Sequence, residues 1–245
     1  SRLRLFAAQC ILKLATCDAY ASLILPRMGR LSYALQDECF QVRMHLLHDL
    51  LLYLMRDELP TEFHAAIFLV AFDPEDEPRV QVASYTRRLQ VLPPIVRHER
   101  LERIIVRFLH LLAHHPDLNA ESPQTLCSFA RYLEFYLACV ACETNIGVLA
   151  RFSACVRTYI DLSPSEPSVE NSRPLYAMAE LAQFLIQRLA DNHGWTIYPV
   201  DEEAPCPKDI LRSTGTIARN VLDGEVWELL QQQPRRHRDK KTKVA

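Results

Sequence analysis

Leu3-Arg4-Leu5-Phe6-Ala7-Ala8, Val42-Arg43-Met44-His45-Leu46-Leu47 and Val80-Gln81-Val82-Ala83-Ser84-Tyr85 are the stretches that decide the fold. Each opens an apolar run at helical spacing. The first continues through Ile11 and Leu14, the second through Leu50 and Tyr53, and the third through Leu89. Their starts lie 39 and then 38 residues apart, a period within the range of helical repeat arrays. A unit of this length is a pair of amphipathic helices that cannot bury its stripe alone, so neighbours must stack into a shared core. The expected fold is therefore all-α, a solenoid of stacked antiparallel helix pairs.

Composition narrows the function classes. Five glycines in 245 residues leave no phosphate-cradling loop, while 49% apolar residues are enough for a sizeable core. No apolar run reaches the length of a membrane span, and the N-terminus lacks the order of a signal peptide. A soluble protein with no membrane partner is expected. Ser1 falls within the first helical pattern, so the chain is read as a piece of something longer. Eight scattered cysteines suit a reducing compartment.

Prolines supply most of the punctuation. Pro26 interrupts 18–36, Asp37 is the expected cap of a helix over 38–56, and Leu59-Pro60 ends it. A short, almost wholly apolar helix covers 62–72 before Asp73-Pro74, and Pro78 sits in the first turn of a helix running to Leu92. Single long helices are expected over 99–114, over 123–142 with Ser122 as cap, and over 146–161. Residues 162–172 have the composition of an exposed linker, and 174–190 returns to helix with Gly194 closing it. Trp195 to Val200 suggests a short extended piece, and 225–233 a last weak helix. The domain reading is thus helical repeats over 1–161, a linker over 162–172, closing helices and loop over 173–233, and a basic disordered tail over 234–245.

Several clusters invite chemistry. Cys139-x-x-Cys142 is the one close cysteine pair, and a closed zinc site usually needs two. His110 and His114 have the i, i+4 spacing that lets two imidazoles hold a metal, but Leu111 stands where a metalloprotease places its general base. A zinc-dependent hydrolase on those histidines is the outlying alternative. The expectation is no enzyme, no metal and no cofactor. Arg100, Arg103 and Arg107, with Arg97 just before them, share one face of a helix and form a candidate partner-binding stripe, although Glu99 pairs with Arg103 at i, i+4. At the C-terminus Arg235, Arg236, Arg238, Lys240, Lys241 and Lys243 stand against Asp239 for a local charge of +5, leaving −7 on the rest of a chain whose total is −2. Non-specific nucleic-acid binding, or an import signal, is expected there rather than on the body.

The joint order of Asp37-Glu38-Cys39-Phe40-Gln41-Val42-Arg43, Leu59-Pro60, Ala66-Ile67-Phe68, Asp73-Pro74 and Leu111-Leu112-Ala113-His114-His115-Pro116-Asp117 resembles the C-terminal HEAT-repeat section of the cohesin regulators named for precocious dissociation of sisters. The resemblance covers roughly residues 3–200, and His115 departs from the family's usual Asp. It implies a HEAT-type α-solenoid and a non-enzymatic chromatin scaffold in the nucleus. The partners implied are cohesin, through its kleisin subunit, and the cohesin release and acetylation regulators. The family's kleisin groove belongs to repeats upstream of this section. An adaptor or transport-receptor fragment of the same architecture is the alternative. In such arrays an Arg placed like Arg43, directly after the first core Val, pairs with an acidic group between repeats, and Arg4 holds the same position one unit earlier.

Overall fold

The computed structural model describes residues 1–232. Its first unit is α1 (Arg2–Leu14), α2 (Asp18–Ile24) and α3 (Met28–Ser32). Pro26, which has no N–H to give, sits in the 3₁₀ turn that separates α2 from α3. The buried line of α1 is Ala8, Leu12 and the following Ala15, whereas Leu3, Ile11 and Leu14 are 79%, 42% and 47% exposed. The expected stripe of that unit was therefore offset, because packing on the next long helix selects the Ala8–Leu12 side. That helix, α4 (Phe40–Met55), buries Val42, Leu46, Leu50 and Leu54 at the spacing of one helical face. Its cap is Cys39 rather than Asp37.

Residues Thr61–Phe72 wind as a 3₁₀ helix in which every residue from Phe63 to Ala71 is buried. Such all-round burial requires neighbours on every side, and this segment packs against α4 and against the later helices Ile105–Ala113 and Pro123–Val140. Asp73-Pro74 ends it, and α5 (Asp76–Gln90) turns Val82, Tyr85 and Leu89 inward while leaving Val80 exposed. The single helix expected over 99–114 is broken. A short α6 (Pro94–Arg97) runs into a π turn at His98–Glu102, and α7 (Ile105–Ala113) follows. The wide turn changes the helical phase in the middle of the arginine series.

Sequence signals and structure agree best at α8 (Pro123–Val140), where the Ser122 hydroxyl accepts the Thr125 N–H at 3.3 Å and Pro123 takes the first position. Next come α9 (Ile146–Cys155) and α10 (Arg173–His193), the latter ending at Gly194 with φ 67°. α10 packs against α7, α8 and α9, and α11 (Gly224–Gln232) packs against α8. One core runs from Ala8 to Leu230.

The chain does not stay helical to residue 161. Strand β1 (Tyr159–Asp161) pairs antiparallel with β2 (Leu211–Ser213), with Tyr159 opposite Ser213. The Tyr176 hydroxyl donates to the Tyr159 carbonyl at 2.8 Å and fixes this ribbon to α10. Residues 162–172 form an irregular return tied at both ends, since the Asp161 N–H donates to the fully buried Ser172 hydroxyl at 3.0 Å. The extended piece expected at 195–200 joins no ladder. The Tyr198 carbonyl lies where a Cβ on Gly147 of α9 would approach within 2.6 Å.

Candidate partner-binding face and histidine cluster

Two aspartates build the same local device. The Asp37 carboxylate accepts the Cys39 N–H at 2.9 Å, and that of Asp73 accepts the Glu75 N–H at 3.0 Å, each folding the turn before a helix. Each then receives an arginine from the preceding unit. Arg4 reaches Asp37 at 2.6 and 3.0 Å, and Arg43 reaches Asp73 at 2.7 and 3.2 Å. Arg43 also donates to the carbonyls of Asp37 and Glu38 at 2.8 and 3.3 Å, which joins consecutive rungs. The rungs differ in burial. Arg4 is half exposed, whereas Arg43 and Asp73 have side chains 7% and 1% exposed. Burial alone would raise the Asp73 pKa, but the bonds from Arg43 and the Glu75 N–H outweigh it and hold the carboxyl below its ordinary value. Arg43 thus takes the inter-repeat role expected of it, pairing with Asp73 of the next unit.

The four arginines read as a stripe do not form a shared open face. Arg107 is 3% exposed and forms a fork with Asp209 at 2.7 and 2.8 Å. Arg100 is bound to Asp57, Arg103 lies 3.3 Å from Glu99 and 3.6 Å from Glu202, and Arg97 lies 3.4 Å from the buried Glu102. The phase change at the π turn separates Arg100 from Arg107, and each positive charge is matched locally. Glu102 is a junction that also bonds His98 at 2.6 Å and the Asn145 amide at 3.0 Å. Asp57, Glu202 and Asp209 are partners that sequence spacing could not indicate, since they lie 43, 99 and 102 residues from Arg100, Arg103 and Arg107. The tail cations Arg235, Arg236, Arg238, Lys240, Lys241 and Lys243 lie outside the described residues.

Beside the two rungs opens a cleft of about 670 Å³ lined by Gln36, Phe72, His115, Phe129 and Tyr132, with Asp37, Glu38, Asp73 and Asp117 at its polar margin. Gln36 holds it together, donating to the Leu69 carbonyl at 3.0 Å and sharing a 2.6 Å bond with the His115 ring. The guanidinium of Arg131 lies 4.1 Å from the Phe72 ring centroid. Burial lowers the His115 pKa against the opposing effect of Asp117, so the ring is neutral at pH 7.

The two histidines flagged by their spacing acquire a third group. His114 Nε2 lies 2.6 Å from Asp161 Oδ2, and His110 Nε2 lies 3.3 Å from Asp161 Oδ1 and 2.9 Å from the Ser163 hydroxyl. Asp161 is buried, His110 is buried and His114 is half exposed. Burial acts to raise the Asp161 pKa, but the bonds from His110, His114 and the Ser163 N–H overcome it and push it far below the carboxylate range. Sequence reasoning missed Asp161 because 47 residues separate it from His114 and only the β1 ribbon brings it back. The cysteines make no such set. Burial pushes the Cys139 thiol up to about 11, so it stays protonated and unsuited to holding a metal at neutral pH.

Helical units joined by arginine–aspartate pairs, one half exposed and one buried, define a helical repeat array. The chain belongs to the family described as sister chromatid cohesion protein PDS5, whose model matches residues 1–212. It is similar to the sister chromatid cohesion protein pds5 of Schizosaccharomyces pombe, 26% identical over 216 residues that cover 88% of this chain and 18% of that protein. The Saccharomyces cerevisiae protein PDS5 is 24% identical over 93% of this chain and 20% of its own length. PDS5 homolog A of Danio rerio is 36% identical over 138 residues, 51% of this chain. The chain thus spans about a fifth of the length of its yeast relatives. No helix of the described residues is long and apolar enough to cross a membrane.

Proposed function

We propose that this chain is part of a non-enzymatic nuclear scaffold that regulates the association of cohesin with DNA and thereby sister chromatid cohesion. The observation that carries this reading is family membership across residues 1–212. The partners are cohesin, through its kleisin subunit, and the release and acetylation regulators of the ring. Residues 1–161 supply the stacking array and residues 173–233 close it, with 162–172 as the return between them. The Arg97, Arg100 and Arg103 side is the docking face for an acidic segment, which must displace Asp57, Glu99 and Glu202 to bind. Arg107, spent on Asp209, supports that face from beneath. Basic residues 235–243 add sequence-independent DNA contact, since phosphate contacts position a protein without reading bases.

The test uses this chain by itself, because the kleisin groove that the resemblance implies lies in upstream repeats of the longer relatives. Arg100→Glu with Arg103→Glu should remove co-purification with cohesin components while helicity is unchanged, and retained association at physiological salt would refute the docking face. Deleting residues 235–245 should abolish binding to labelled duplex at low salt. For the intact chain the log-log salt slope should be no steeper than about −0.9 × 6, given six cations. Equal affinity with and without the tail would place the DNA contact on the body.

A further inference from the structure

We propose that His110, His114 and Asp161 form a binding site for a zinc-class divalent ion. Their three ligand atoms lie within 4.8 Å of one another. Zinc holds imidazole nitrogen and carboxylate oxygen at about 2.0–2.2 Å, so tetrahedral ligand atoms stand roughly 3.3 Å apart. His110 Nε2 already stands 3.3 Å from Asp161 Oδ1, whereas His114 Nε2, at 2.6 Å from Asp161 Oδ2, would have to move away by about 0.7 Å, which a rotation of its half-exposed ring allows. The histidines are one helical turn apart at the end of α7, where the negative end of the helix favours a cation.

The carboxylate is oriented before any ion arrives. Asp161 Oδ1 accepts the Ser163 N–H at 2.9 Å, and the Asp161 N–H is bound by the buried Ser172 hydroxyl. Support of this kind fixes a ligand and raises affinity. The nearest cation on α7 is Arg107, one turn before His110, and its charge is cancelled by Asp209. The half-exposed side of His114 gives entry from solvent and leaves a fourth position for water or for the Ser163 hydroxyl. Two nitrogens and one oxygen with an open position suit zinc, and cobalt as its spectroscopic stand-in. An ion here clamps α7 to the end of β1 and to the 162–172 return.

Cobalt(II) and zinc are the probes, added to the intact chain after dialysis against chelator. One equivalent of cobalt should give visible d–d bands without thiolate charge transfer, and zinc should displace it. His114→Gln and Asp161→Asn should each weaken binding by about tenfold or more, while Cys142→Ala leaves it unchanged. Helicity is followed in parallel, and because His114 lies at the surface end of the helix, its variant decides the outcome if Asp161→Asn unfolds. Absence of cobalt bands at equimolar ion, a thiolate charge-transfer band, or undiminished binding in His114→Gln would overturn the assignment.

Discussion

Replacing Arg43 by Ala should be among the most damaging single changes in this chain. The substitution strands the Asp73 carboxylate, 1% exposed, with the Glu75 N–H as its remaining hydrogen-bond donor and leaves the Glu75 carboxylate without its cation. It also removes the donor that serves the Asp37 and Glu38 carbonyls. Breaking a buried ion pair from one side costs about 3–5 kcal/mol, because the remaining charge is uncompensated. With an unfolding entropy near 2.1 cal/mol/K per residue, a 245-residue chain has about 0.5 kcal/mol/K, so a loss of roughly 4 kcal/mol lowers the midpoint by about 8 °C. Differential scanning calorimetry reads this directly. Arg43→Met combined with Asp73→Leu should recover most of the loss, since both charges then leave the core together. Arg4→Ala, at the half-exposed rung with the same geometry, should barely move the midpoint. A shift under about 2 °C for Arg43→Ala, or a double variant no better than the single, would show that the rung carries no stability.

Other consequences are measurable in the same way. Burial is the main cause that lowers the His64 pKa from 6.5 to about 4, against the Thr61 carbonyl that opposes it. The folded state therefore holds this ring neutral, its contribution is complete above pH about 6.5, and it is lost as pH falls toward 4. Stability should drop by about 2 kcal/mol between pH 7 and pH 5, and His64→Gln should flatten that part of the profile; an unchanged slope would refute the assignment. Leu50→Ala should cost about 2–5 kcal/mol, as expected for a fully buried leucine in a shared core, and a loss below half of the lower figure would mean the site collapses onto itself. Gly147→Ala should destabilise by about 1–3 kcal/mol, because its Cβ would meet the Tyr198 backbone, and a neutral effect would show that the 195–200 segment moves freely.

What could be read from the sequence was whatever is encoded locally. Ser122-Pro123 and Gly194 mark their helix ends because capping chemistry involves neighbours a few residues away. The α4 face was legible for the same reason. The side of α1 that turns inward was not, since Leu3 and Ile11 are as apolar as Leu12 and only the partner helix decides between them. The π turn within 98–102 carries no local signature, and nothing local showed that Arg107 beyond it would be buried against Asp209. Arg43 could be recognised as an inter-repeat residue, but its Asp73 partner required the fold. Likewise His110 and His114 announced a pair, whereas Asp161 joined them only through the β1–β2 ribbon.

The unequal burial of the two aspartate rungs makes the molecule's compliance graded along its length. At Arg4 and Asp37 the electrostatic spring has its arginine end half in solvent and softens as salt is added. At Arg43 and Asp73 the same spring is buried and loses far less of its stiffness to salt. Under tension the N-terminal unit should therefore yield first, by an amount set by the surrounding electrolyte, while the next unit passes the load undiminished to the helices behind it.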